Sequence, residues 1–189
     1  MDKVLHEPGG KRLLRAVARG DKESFTRLYH LTSEEVLFFI RRIVKDGSLA
    51  EDVLVDTYSE VWRCAGSFKG RSKAKTWIMG IARNLAYKAL AKNDPPGNDR
   101  LEDLAGPADT VRQVEAADRS RVLKTALEML TPTHRETLDL VFSAGMTYKE
   151  VGEIMQVPEN TVKTRIFHAK SNLLAALEQL GVTKDDLVR

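Results

Sequence analysis

From Thr131 onward the chain is punctuated too closely to form long rods. Thr131 followed by Pro132 is a helix start, because proline at the first helical position sacrifices no hydrogen bond. Gly145 is a stop. Thr147, with Glu150 three residues later, has the pattern of a capping box. Pro158 opens a last helix that runs to about Leu180, where Gly181 follows. The stretch MTYKEVGEIMQVPENTVKTRIFHAK, residues 146–170, is therefore read as helix, tight corner, helix. Val151, Ile154, Val157, Val162 and Ile166 are spaced to share a core, and Gly152 is small where the two helices must approach. Asn160, Thr161, Lys163, Thr164, Phe167, His168 and Lys170 are left largely outside, and Arg165 edges the same helix. The start of such a helix can enter the DNA major groove, with polar groups reaching base edges and cations reaching phosphates. Phe167 can meet a thymine methyl. Any helical bundle contains corners, however, and a basic helix edge is commonly just a solvated face. The segment alone leaves both readings open.

The rest of the chain also carries helical periodicity, and no stretch alternates long enough to make a strand. Leu14, Val17 and Ala18 precede a break at Gly20-Asp21, after which Phe25, Leu28 and Tyr29 resume. Ser33 is a plausible cap for a helix ending at Gly47. Ser48, with Glu51 three residues on, suggests a second capping box for a helix ending near Gly66. Trp77, Ile81, Leu85 and Lys88 line one face of a further helix. The fold class expected is all-α. No apolar run approaches the roughly 20 residues of a membrane span, so no membrane insertion is expected, and the first residues lack the apolar centre of a signal peptide; the expected location is cytoplasmic. The single cysteine, Cys64, rules out an internal disulfide and a cysteine-based zinc site. His6, His30, His134 and His168 are scattered without metal-ligand spacing, so neither metal nor cofactor is expected.

Charge divides the chain into three. Residues 1–92 hold 18 Lys/Arg against 11 Asp/Glu, residues 93–120 hold 3 against 7, and residues 121–189 hold 9 of each. A basic front, an acidic middle and a balanced end suggest two folded units on a linker. NDPPGNDRLEDLAGPADT, residues 93–110, concentrates helix breakers and reads as a flexible tether. Helical periodicity returns between Val111 and Leu130. The boundaries expected are a first domain over 1–92, a linker over 93–118 and a second domain over 119–189.

Within the first domain the sign reverses abruptly. EDVLVDTYSE, residues 51–60, has four acids and no base, and Asp52, Asp56 and Glu60 share one helix face. Like charges at that spacing cost a few tenths of a kcal/mol per pair, which a solvated face tolerates and a docking surface for a basic partner exploits. From Val61 to Asn93 there is no acid, while Arg63, Lys69, Arg71, Lys73, Lys75, Arg83, Lys88 and Lys92 appear. A merely solvated surface normally mixes signs. Phosphate binding through counterion release wants such a field. Trp77 and Phe68 can stack unpaired bases, but core packing is the stronger reading for both, since Trp77 aligns at helical spacing with Ile81 and Leu85.

These segments together resemble the extracytoplasmic-function (group IV) sigma factors of the sigma-70 family. The resemblance rests on AEDVLVDTYSEVWR, TWIMGIARNLAYKAL and LTPTHRETLDLVFSAGMTYKEVGEIMQVPENTVKTRIFHAKSNLLAAL, and covers about Arg12 to Leu180 in the family's order. It implies two small helical domains, similar to sigma regions 2 and 4, joined by the linker. It implies an alternative sigma factor that binds core RNA polymerase and directs it to promoters. Asp52, Val53, Leu54, Asp56 and Tyr58 would dock on the clamp helices of the β′ subunit. Lys69, Arg71, Ser72, Lys73, Lys75, Trp77, Arg83, Asn84 and Lys88 would capture the melted −10 element, with a flipped base near FKGRSK. Thr161, Lys163, Thr164, Arg165, Phe167 and His168 would read the −35 element. The resemblance further implies contact with the polymerase β flap, a linker threaded toward the active-site channel and RNA exit path, and an anti-sigma factor as partner. Three departures from the family's pattern stand out. Val55 occupies a position where Gln is common, Gly152 replaces a usual Ala, and His168 and Lys170 stand where Arg is frequent. The last change weakens bidentate contacts.

Two rival readings come from other classes. A conventional regulator would pair the corner motif with a sensor or dimerisation domain, but a sensor needs no acid-to-base reversal. A recombinase with a helix–turn–helix tail would need a nucleophile, a phosphate cradle or a metal set, and none is evident in the residues. The chain is therefore not expected to be an enzyme.

Overall fold

The computed structural model describes residues 8–93 and 121–182, and every regular element among them is helical. The tether expected over 93–110, apart from Asn93, and both termini lie outside the described residues.

The first unit begins with α1, Pro8–Val17, which buries Leu13, Leu14 and Val17. The chain then turns at Gly20, whose φ of 85° favours a residue without Cβ. Asp21 caps α2, Lys22–Val44, by accepting from the amides of Glu23 and Ser24. Ser33 is not a cap: α2 runs straight through it. The neighbouring Thr32 is buried and donates its hydroxyl to the Leu28 carbonyl at 2.7 Å, one turn back, so the polar pair is absorbed within the helix. Likewise α3, Gly47–Cys64, is capped by Asp46, which accepts from the Leu49 amide at 2.8 Å. Asp is as good a cap as Ser, and it comes two residues sooner than Ser48. Glu51 pairs instead with Arg41, at 3.1 Å. A short turn of 3₁₀ helix, Ala65–Ser67, leads through an irregular loop to α4, Ala74–Asn93. Helices α2, α3 and α4 pack on one another around Leu28, Val36, Ile40, Val53, Val61, Ile78, Met79 and Ala82.

The second unit starts with helical residues 121–128 (α5). Thr131 caps α6, Pro132–Leu138, as expected. The helix then widens into a π-helical turn, Asp139–Ser143, and Gly145 turns the chain at φ 62°. Helix α7, Tyr148–Met155, carries the complete Thr147–Glu150 capping box. Helix α8, Glu159–Gln179, follows after Gln156, which adopts the left-handed conformation. Val151, Ile154, Val162 and Ile166 are buried, as the spacing predicted.

The two units are packed together: α4 lies against α7, and their buried residues form one continuous apolar cluster.

Candidate nucleic-acid and polymerase interfaces

On α8, Val162, Ile166 and Ala169 turn inward. Lys163, Thr164, Phe167 and His168 are thereby exposed, while Thr161 and Arg165 are half-buried at the edge. Phe167 is 71% exposed, with its ring 5.5 Å from that of His168. A single exposed apolar side chain is ordinary on a protein surface, and Phe38, Val55 and Phe142 are also more than half exposed, so the position of Phe167 on α8 carries more weight than its exposure. Lys163 pairs with Glu159 at 3.0 Å, and the Thr164 hydroxyl donates to the Asn160 carbonyl. Lys170 lies over the ring of Phe142 at 5.0 Å.

On α3 the five residues expected to dock polymerase separate into two groups. Asp52 and Asp56 are exposed. Val53, Leu54 and Tyr58 are buried, at 2%, 7% and 3% exposure, and face the α2–α3–α4 core. The Thr32 proton is committed to the Leu28 carbonyl, so the Tyr58 hydroxyl donates to Thr32 Oγ1 at 2.6 Å. Burial holds that hydroxyl above its ordinary range. The exposed apolar residue of the acidic stripe is Val55, at 65%, set between Asp52 and Asp56. Glu60, the third acid, is held by Arg63 in a bidentate pair at 2.7 and 2.9 Å.

The basic stretch is less open than its composition suggests. Lys69, Arg71, Asn84 and Lys88 are exposed, and Ser72 is half-buried. Trp77 is half-buried against Phe68, with ring centroids 5.4 Å apart, and packs on the core as well as facing a cleft. Lys75 is paired with Glu35 of α2. Lys73 reaches Glu150 of the second unit at 2.8 Å. Arg83 donates to Glu136 through Nε at 2.7 Å and Nη2 at 3.1 Å, and the Tyr87 hydroxyl donates to the same carboxylate at 3.1 Å. Burial opposes the charge on Arg83, but Glu136 outweighs it and holds the guanidinium above its ordinary value. Burial, reinforced by Glu136, pushes Tyr87 up to about 12. Ser72, Thr76, Trp77, Gly80, Ile81 and Asn84 line one wall of a cleft of about 210 Å³, and Glu153, Ile154 and Gln156 line the other.

Sequence reasoning did not find Arg42, Glu136 and Asp139. Asp139 is nearly buried and accepts from Arg42 of α2 through both carboxylate oxygens, with Nε at 2.7 Å. The one available signal was two acids, three residues apart, inside the apolar periodicity of THRETLDLVF. Among the described residues, no group of His, Cys, Asp and Glu is arranged to hold a metal. No described helix is long and apolar enough to cross a membrane.

Residues 28–95 match the family model for sigma-70 region 2, and residues 120–173 match that for sigma-70 region 4. The chain is 28% identical to the RNA polymerase sigma-H factor of Pseudomonas aeruginosa, over 94% of this chain and 98% of that protein. It is 27% identical to the ECF RNA polymerase sigma factor SigK of Mycobacterium ulcerans, over 88% of this chain and 92% of that protein. Its fold is similar to that of CnrH, solved with the cytosolic domain of CnrY, at a TM-score of 0.69 and 19% identity over 90% of this chain and 97% of the other. It is also similar to the sigma factor RpoE of Bartonella quintana, solved with the anti-sigma factor NepR. There the TM-score is 0.66 and the identity 25%, over 82% of this chain and 98% of that one. Two helical units in the order of regions 2 and 4, with relatives matched almost end to end, lead to one conclusion: the chain belongs to the extracytoplasmic-function group of the sigma-70 family, alternative sigma factors that direct promoter-specific transcription initiation and are not enzymes.

Proposed function

We propose that residues 1–92 and 119–189 act as two functional units, joined by a linker over 93–118, and divide promoter recognition between them. The exposed Asp52–Val55–Asp56 stripe of α3 docks on the basic face of the polymerase β′ clamp helices. Lys69, Arg71, Ser72, Lys73, Lys75, Trp77, Arg83, Asn84 and Lys88 take the melted −10 strand, by phosphate neutralisation and base stacking. Thr161, Lys163, Thr164, Arg165, Phe167 and His168 read the −35 element from the major groove. The second unit also contacts the β flap. The chain works in the cytoplasm, and an anti-sigma factor is its expected antagonist, supported by the likeness to a sigma factor solved with NepR.

The observation that carries this reading is the corner motif. A capped α7 meets the turn before α8 so closely that a Cβ at position 152 would lie 2.7 Å from the Val157 carbonyl oxygen, and the corner leaves a polar face with an exposed phenylalanine. Transcription in vitro with purified core polymerase and a genomic library as template tests the proposal. Discrete start sites that depend on the protein support it. Transcripts indistinguishable from those of core polymerase alone overturn it.

A further inference from the structure

We infer that α1 carries part of the strand-binding surface, with Arg12 and Arg15 neutralising phosphates of the same melted strand that the loop before α4 receives. The inference rests on the strand-binding role proposed for that loop. Helix α1 lies ahead of residues 28–95, the part of the first unit that matches sigma-70 region 2.

The loop is laid along α1. The helix packs on the 3₁₀ turn Ala65–Ser67, where the loop begins, and on α4, where it ends. Its first turn abuts the start of α4 so closely that a Cβ built at Gly10 would lie 2.9 Å from the Ala74 Cβ. Between these two points Lys11 Nζ donates to the Gly70 carbonyl at 2.9 Å. Gly70 is left-handed at φ 70°, a conformation that favours a residue without Cβ. A Cβ there would sit 3.8 Å from Nη2 of Arg15, so that guanidinium lies beside the middle of the loop.

Charge gives the contact its use. Residues 8–20 hold Lys11, Arg12, Arg15 and Arg19 and no acid. Arg19 acts on the Asp21 carboxylate that caps α2. Arg12 and Arg15, three residues apart, are neighbours on the exposed side of α1. Lys69 and Arg71 are exposed on either side of Gly70. Lys73, Lys75 and Arg83 each meet a carboxylate. Arg12, Arg15, Lys69 and Arg71 meet none among the described residues. A solvated surface normally mixes its signs, and like charges gathered without counter-charges repel. A polyanion lying across them relieves that repulsion and releases its own counterions. Phe68 and Trp77 stand at the same loop, so the polyanion that fits is a single strand, whose bases can turn toward aromatic rings while its phosphates run along α1. Such phosphate contacts position a strand and do not read its bases.

The test uses the full chain bound to core polymerase. The probe is a labelled single-stranded DNA of about 12 nucleotides, taken from the −10 region of a promoter found by the library transcription and titrated at several salt concentrations. Arg12→Gln with Arg15→Gln should weaken binding and lower the slope of log affinity against log salt by about 1.4, at about 0.7 per phosphate contact. The loss should be the same for the matched strand and for one with its bases scrambled. Arg12→Lys with Arg15→Lys keeps both charges and should restore the slope. Association with polymerase and the unfolding temperature should stay as in the wild type, since both side chains are exposed. Lys69→Gln with Arg71→Gln reports on the loop alone. A lowered slope for the loop variant beside a wild-type slope for the α1 variant overturns the inference and leaves the loop reading standing. Wild-type slopes for both overturn the loop reading and the inference with it. A loss that persists in the lysine variant, or that differs between matched and scrambled strands, overturns the phosphate role given to Arg12 and Arg15.

Discussion

A Cβ added at Gly152 would lie 2.7 Å from the carbonyl oxygen of Val157. The obstacle is backbone, which cannot rotate away as a side chain could. Glycine here sets how closely α7 returns on the turn before α8, and so how α8 is aimed. Gly152→Ala should therefore destabilise the second unit, even though alanine favours a helix by about 1 kcal/mol. Overpacking against backbone costs about 1–3 kcal/mol, so the net loss is expected at roughly 1 kcal/mol. Thermal unfolding measures it, and an equal or higher midpoint would show that the corner relaxes freely.

The α3 surface and the α3 core make separable predictions. Asp52→Arg with Asp56→Arg reverses the exposed stripe and should weaken association with core polymerase by about tenfold or more, at little cost to stability. Tyr58→Phe removes the bond to Thr32 and should cost about 1 kcal/mol of stability while leaving polymerase affinity close to wild type. Titration of each variant with core polymerase, alongside denaturant unfolding, separates the two. A Tyr58→Phe protein that is fully stable but fails to bind polymerase would mean this hydroxyl is a contact after all.

On α8, Lys163 and His168 should act differently. Lys163→Ala removes a phosphate-reaching cation, so upstream-element affinity should fall across all sequences and the salt slope of binding should drop by about one. His168→Ala and Phe167→Ala should instead reduce the gap between good and poor upstream elements. Fluorescence anisotropy at several salt concentrations, with matched and scrambled duplexes, distinguishes these effects. Uniform losses for all three would argue against any base reading by the helix.

Glu150 links stability to pH. Burial acts to raise its pKa, but the Lys73 bond and the Thr147 amide and hydroxyl bonds outweigh it, so the carboxyl is held below its ordinary value. A lowered carboxylate stabilises the fold fully above the ordinary glutamate range. That contribution is lost as pH falls through the lowered value. Glu150→Gln should therefore lower the unfolding temperature at neutral pH, and the gap to wild type should close in acid. A gap that is the same at neutral and acid pH would mean that ionisation of Glu150 is irrelevant.

Much of the local structure was legible in the residues. Thr131-Pro132 and the Thr147–Glu150 box appear where the chain announced them, because a cap is a contract between residues three apart. Ser33 and Ser48 misled for the same reason. Thr32 found a partner within α2, and Asp46 offered an earlier cap, and local rules alone do not rank such competitors. The fate of the α3 docking residues was harder to read. Asp52 and Val53 are adjacent in sequence, but one faces water and the other the core, according to where α2 and α4 happen to lie.

By itself, then, the sequence determined an all-helical chain, the corner that presents α8, and the order of acidic and basic stretches, since each depends on neighbours within a turn or two. Only the tertiary structure decided which cations remain available. Arg83 meets Glu136 across 53 positions, and Arg42 meets Asp139 across 97. Pairing at that range leaves no periodic trace in the chain. It arises when two helix faces, each stable on its own terms, bring their charges within hydrogen-bonding distance.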